Sequence, residues 1–198
     1  MPRIGITGHS NLTTDTVPLV AEAIRAALTE HPRGELIGVT CLARGADQVF
    51  ARVVLDLGGT VEVVLPATDY RDRKIKPDNA ADFDELIGKA STVHTMPFTT
   101  SDREAYMAAS EHVLGGVDAM VAVWDGGPSG GHGGTGDVVD AARERGIPVT
   151  VVWQRARRAT DRIGHALRLD LLGEPGHEDD STLGEERPHL GEWRERGW

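Results

Sequence analysis

The residues best placed to do chemistry lie in a glycine-rich segment, Asp125-Gly-Gly-Pro-Ser-Gly-Gly-His-Gly-Gly-Thr135-Gly136. Glycine lets a backbone approach a ligand closely and take up positive φ. Where such a segment opens a helix, the free N–H groups of the first turn face an anion. Thr135 adds a hydroxyl donor. The segment is therefore a candidate phosphate cradle, with Gly126, Gly131, Gly133, Gly134 and Thr135 as candidate ligand contacts. The alternative is a flexible surface connector, but so many glycines carry an entropic cost that a plain connector need not incur. Gly131-His-Gly-Gly-Thr-Gly136 formally spells G-x-G-x-x-G. It sits in the last crossover, and the strand after it ends Val152-Trp153-Gln154 with no acid to hold a ribose, so it is not a nicotinamide fingerprint. No G-K-[ST] element of a Walker loop occurs.

Two further loops offer donors. Gly8 allows a tight exit from the first apolar run, and His9, Ser10 and Asn11 follow it as candidate phosphate or ribose contacts; a simple Asx-capped turn is the alternative. In Cys41-Leu-Ala-Arg44-Gly45-Ala46-Asp47, Arg44 and Gly45 precede a helix start, so the guanidinium can reach a phosphate or carboxylate. Asp47 can pair with Arg44 or sit in the first helical turn, where its charge suits the dipole. Asp125 could orient a ribose hydroxyl or merely cap its loop, and Asp125 and Asp137 are the carboxylates available for bond cleavage. Asp69 and Tyr70 could touch a base, with Tyr70 more often a loop anchor; Glu111 and His112 read as surface positions inside a helix. The eight histidines show no zinc-ligand spacing, so neither a metal nor a separate cofactor is expected. No Ser-His-Asp set can be assembled.

These loops need a scaffold that gathers them. Apolar runs at 3–7, 36–41, 61–65, 119–124 and 149–153, with a weaker one at 91–96, read as strands. Between them, helical periodicity covers 15–30, with Val17, Val20, Ala21, Ile24 and Leu28 facing inward and Thr14 or Asp15 as cap. Further helices are predicted over 45–57, 78–90, 102–114 and 136–145. Ser101-Asp-Arg-Glu104 is a capping-box pattern, and 70–77 reads as an exposed polar loop. The order is strand–helix throughout, and the strands are continuous apolar runs, as expected where both faces are covered. The fold class is therefore α/β: a doubly wound, Rossmann-like parallel sheet of about six strands in three layers. Ligands of such sheets bind beyond the carboxyl ends of the strands.

Composition sets the outer bounds. The 198 residues, 39% hydrophobic and 26% charged, suit one soluble domain, assigned to 1–173. Residues 174–198 are polar and aperiodic, a tail or arm in which Trp193 and Trp198 could dock. With 21 basic and 31 acidic residues, the net charge is −10. That disfavours nucleic acid as a partner without excluding a small anion held by backbone amides. The single cysteine, Cys41, excludes a disulfide framework. No apolar run is long enough to span a membrane, and Met1-Pro-Arg-Ile-Gly5 leads directly into a strand, so a cytoplasmic location is expected.

Leu42-Ala-Arg-Gly-Ala-Asp47 resembles the "G-L-A-R-G-I-D" element of the DNA-processing protein A (Smf) family. Gly130-Gly-His-Gly-Gly-Thr135 resembles the "P-G-G-x-G-T-x-x-E" element of the LOG-like phosphoribohydrolases. Both families belong to the SLOG superfamily of Rossmann-like, nucleotide-associated domains, and the similarity covers about residues 3–153. It implies phosphate or ribose contact at Gly8, Ser10, Arg44, Gly133, Gly134 and Thr135, and a homodimer through helices flanking the sheet. The glutamate that serves catalysis in the LOG-like pattern falls on Val138 here, which weakens a hydrolase reading. The 119–136 region also looks like nucleoside deoxyribosyltransferase-like domains, whose nucleophilic glutamate has no matching position. The leading expectation is a binder of a nucleotide or nucleotide-derived phosphate. Cleavage or transfer at an N-glycosidic bond, and a DNA-handling scaffold, are the alternatives.

Overall fold

The computed structural model describes residues 1–31, 35–127 and 134–152. Six strands form one sheet: β1 (Arg3–Gly8), β2 (Ile37–Thr40), β3 (Thr60–Leu65), β4 (Thr92–Thr95), β5 (Ala119–Val123) and β6 (Val149–Val151). All neighbours are parallel, in the order β4-β3-β2-β1-β5-β6. The chain thus builds outward from β1 to β4, then crosses back to place β5 on the other side of β1. The carboxyl ends of β1 and β5 flank the point where the winding reverses, and Gly8 pairs with Val123 there.

The helices are α1 (Thr16–Leu28), α2 (Ala46–Asp56), α3 (Tyr70–Lys74), α4 (Ala80–Gly88), α5 (Arg103–Leu114) and α6 (Thr135–Glu144), with a 3-10 turn at Pro77–Asn79. One face of the sheet is covered by α1, α2 and α4, around Ile24, Leu28, Phe50 and Phe83. The other is covered by α5 and α6, around Ala109, Val113, Met120 and Ala142. The central strands read as unbroken apolar runs because each is sandwiched between these layers. The weakness of 91–96 as a strand has the complementary cause: β4 is an edge, and all four of its residues are exposed. Among the described residues no helix is long and apolar enough to cross a membrane.

Several local expectations shift. Val17 lies in the first turn of α1 and is exposed, while Ala21 packs partly buried against the core and Ala23 joins the buried face. Asp15 stands at the N-cap of α1 but its side chain makes no cap bond; the Thr13 carbonyl accepts from the Thr16 and Val17 amides instead, while the Thr13 N–H donates to Thr16 Oγ1. The cap of α5 is Asp102, which accepts from Ala105 N at 3.0 Å, so Ser101 is released for another contact. Residues 70–77 are largely exposed as expected, but 70–74 form a helix rather than a loop. Tyr70 is buried and packs on Phe83 and Tyr106, which turns a polar stretch into the short helix α3. The end of the domain beyond Val152 and the arm at 174–198 lie outside the described residues.

Candidate functional site

Two glycines set the geometry at the carboxyl edge. A Cβ on Gly8 would stand 2.6 Å from Ala46 Cβ and 2.7 Å from Val123 Cβ. Gly45 has φ +89°, and a Cβ there would meet His9 O at 2.6 Å. Their bareness lets the loop after β1 press between β5 and the start of α2. The loop is then pinned from both sides: His9 N donates to Val123 O at 3.2 Å, and Ala46 N donates to His9 O at 3.1 Å. The first amide of α2 is therefore engaged by the protein itself. In α6 no side chain of the described residues caps the N-terminus, and the first-turn amides of Thr135 and Gly136 have no acceptor within the helix.

Three adjoining cavities run along this edge. One, of about 680 Å³, is lined by Gly8, His9, Ser10, Asn11, Asp125 and Thr135, with Trp124, Gly127, Gly134 and Gly136. A smaller one, of about 230 Å³, lies beneath Gly8, Gly134 and Thr135 and reaches Cys41, Asp47, Tyr70, Tyr106 and Val138. The third, of about 550 Å³, shares Ser10 and Asn11 with the first and adds Arg44, Lys74, Lys76 and Asn79. The predicted contacts Gly8, His9, Ser10, Asn11, Gly134, Thr135 and Asp125 thus meet in one cleft, and Arg44 joins from its neighbour. Gly126, at φ +85°, turns the chain between Asp125 and Gly127. Gly131 and Gly133 lie outside the described residues.

Asp125 leaves β5 and accepts from Gly127 N at 3.0 Å, with His9 Nε2 3.5 Å away. The Gly127 amide first, and then the neighbouring His9, hold its carboxyl below the usual range, so it is ionised at neutral pH. It both starts the loop and faces the cleft. Trp124 Nε1 donates to Gly127 O, and Arg143 lies 5.9 Å over the Trp124 ring, which fixes the near end of the glycine segment. Asp137 goes elsewhere. It lines a separate groove between α5 and α6 with Met107, Ser110, Glu111 and Leu114, because the first turn of α6 points it away from the sheet edge.

Arg44 does not pair with Asp47. It reaches Asp78 at 2.8 Å, and both side chains are more than half exposed. Asp47 is buried and accepts from Thr40 Oγ1 at 3.1 Å and Ala43 N at 3.3 Å. Burial outweighs those bonds and pushes its carboxyl up to about 6. Burial also pushes the Cys41 thiol up, so it has little thiolate character at neutral pH. Leu42, between them, is fully buried with φ 54°, a strained conformation for a side-chain-bearing residue. The cost is offset by burial and by Gln48 Nε2 donating to Leu42 O. Asp69 does not face the cleft as a base contact; it accepts from Ser101 N and Oγ and ties the loops after β3 and β4 together. Tyr70 is the anchor its alternative reading suggests. Glu111 pairs with Arg145 on the surface, and His112 stacks on His94.

Sequence reasoning missed Lys74, Lys76, Asn79 and Tyr106. A pattern of apolar periods carries no signal for residues brought in by a short helix whose one buried ring is Tyr70. Among the described residues, no group of three or more His, Cys, Asp or Glu side chains is arranged to hold a metal ion.

No family model matches the chain, and no curated protein sequence matches it. Solved structures do. DNA processing protein A from Streptococcus pneumoniae aligns with a TM-score of 0.55 at 15% identity, over 82% of this chain and 56% of that one. DNA processing protein A from Helicobacter pylori, described by its single-stranded DNA binding mode, aligns with a TM-score of 0.53 at 15% identity, over 76% of this chain and 64% of that one. The structural-genomics target TM1055 aligns with a TM-score of 0.50 at 17% identity, over 75% and 72%. The chain spans 56% of the length of the first of these. At such identities the shared feature is the backbone: the chain has the Rossmann-like, parallel α/β fold of these structures.

Proposed function

We propose that the chain binds a nucleotide or nucleotide-derived phosphate ligand in the cleft at the carboxyl edge of the sheet. One observation carries the reading. Loops 8–11, 43–45 and 125–127 and the N-terminus of α6 converge where the winding of the sheet reverses, the place where open α/β sheets take ligands. Amides of α6 and the Thr135 hydroxyl hold a phosphate, and Ser10, Asn11 and the ionised Asp125 hold ribose hydroxyls. Gly8 and Gly45 act by position, since they let loop and helix approach. Isothermal titration calorimetry with AMP and ADP-ribose tests this: saturable binding is expected, and none at millimolar ligand to folded protein overturns it. Thr135→Val removes one charge-assisted donor and weakens AMP binding about tenfold.

A second reading, hydrolysis or transfer at an N-glycosidic bond, is favoured by the carboxylates in the cleft. Asp125 is ionised there, and Asp47, with its carboxyl near 6, is poised for proton transfer at neutral pH. Asp47 lines the small cavity together with Val138, the position at which the LOG-like pattern has its glutamate. Chromatographic detection of free base from nucleoside monophosphates checks this, and an Asp125→Asn variant is expected to be at least about a hundredfold slower. The acidity-based expectation against nucleic acid gains no support from structures that include a single-stranded DNA binder; oligonucleotides therefore belong in the binding assays. A homodimer across the α5–α6 face and a cytoplasmic setting complete the proposal.

A further inference from the structure

The cavity beside Arg44 has a composition at odds with the rest of the molecule. The chain carries a net charge of −10, yet Arg44, Lys74 and Lys76 all line this one concavity of about 550 Å³. Among the described residues, all the other lysines and arginines except Arg103 stand in ion pairs. Lys74 and Lys76 have no carboxylate within ion-pair distance there, although the protein has acid in excess. Lys74 Nζ is instead kept at the wall of the cavity by the Tyr106 ring, 5.7 Å from its centroid. The segment that carries both lysines is fastened on two sides. Asn79 and Gln48 exchange two buried amide hydrogen bonds of 2.9 Å, and Tyr70 is buried against Phe83 and Tyr106. Positive charge held in place without a protein partner in a concave site is a receptor for an external anion.

We infer that this cavity is a second phosphate subsite, and that the ligand carries two phosphoryl groups, as in a nucleoside diphosphate or its sugar ester. The inference rests on the nucleotide-binding reading and extends it. Ser10 and Asn11 line both the cavity of Thr135 and that of the lysines, so one molecule can span the two. Ser10 and Asn11 would then lie between a phosphoryl group at the α6 end and a second one beside Lys74 and Lys76. Arg44 is already neutralised by Asp78 in an exposed pair, which an incoming phosphate can displace.

Calorimetry on the full chain with AMP, ADP and ADP-ribose tests the subsite. The wild type is expected to bind ADP or ADP-ribose at least about tenfold more tightly than AMP. Lys74→Ala/Lys76→Ala is expected to lose that margin with AMP affinity unchanged, and Lys74→Arg/Lys76→Arg to keep it; circular dichroism verifies that both remain folded. Equal affinities in the wild type, or a margin that survives in the folded alanine variant, overturn the subsite while leaving the nucleotide cleft standing. A loss of binding to a thymidine 20-mer with all nucleotide affinities unchanged overturns it in favour of a nucleic-acid face. Failure of the wild type to bind any of the three nucleotides overturns the cleft reading itself, and the subsite with it.

Discussion

Asp47 places a carboxyl in the interior, accepting from Thr40 and Ala43 yet held near 6 by burial. Its folded-state value lies above the ordinary 3.8, so the native state binds more protons than the unfolded chain between about pH 4 and 6. Stability from this residue is therefore greatest below pH 4, declines as pH rises through that window, and stays lower above it. A shift of about two units corresponds to roughly 3 kcal/mol. Asp69, Asp84 and Glu62 work in the opposite sense, because their partners hold them below the ordinary values and their contribution fades as they protonate in acid. Asp47→Asn keeps an acceptor oxygen and removes the titration. Urea midpoints at pH 4 and pH 6.5 should fall by less in Asp47→Asn than in the wild type; an equal fall in both would show that the carboxyl titrates in the ordinary range.

At the scale of elements, the cleft depends on how firmly the 70–79 segment is tied down. Its lysines face the cavity because the 3-10 turn at 77–79 docks on α2 through the Gln48–Asn79 amide pair. Gln48→Leu leaves the Asn79 amide buried without its partner, at a cost of about 1–3 kcal/mol. Chemical denaturation should show that loss, and Gln48→Leu/Asn79→Leu should recover much of it, since replacing both polar groups removes the desolvation penalty. Recovery that fails would mean the pair matters for shape rather than for satisfying buried amides. The same logic separates α2 from α6. The first amide of α2 is bonded to His9 O, while among the described residues no side chain caps α6, so the two helix starts meet the cleft differently.

Taken whole, the molecule has two unlike flanks. One face of the sheet is closed by α1, α2 and α4. On the other, α5 and α6 leave a groove lined by Leu114, Val138 and Ala141, with Met107 45% exposed at its rim. A second copy covering this face would remove Met107 from water. Sedimentation equilibrium should then show a dimer for the wild type and a monomer for Met107→Glu, because a charge desolvated within the contact is costly. A wild type that sediments as a monomer removes the dimer from the proposal. Such an assembly leaves the ligand cleft open, since the cleft opens at the carboxyl edge of the sheet rather than on that face.

Which parts of this were legible in the residues follows from the range of the forces. Strands, their parallel burial and the glycine loops are written locally: runs such as Ala119–Val123 must be covered on both faces, and Gly8 and Gly45 mark places where a side chain cannot fit. From these the α/β class and the edge carrying the cleft could be read before any coordinates. What the sequence could not settle were the partners. Arg44 chose Asp78, 34 residues away, over Asp47 three residues away, because the first turn of α2 buries Asp47 against Thr40 while the 77–79 turn brings Asp78 alongside. Asp137 lines a groove between α5 and α6 instead of the cleft, and Lys74 and Lys76 line the neighbouring cavity on a segment anchored by a single buried ring. Propensity and pattern act between neighbours in the chain, whereas charge and packing act between neighbours in space, and only the folded sheet turns one into the other.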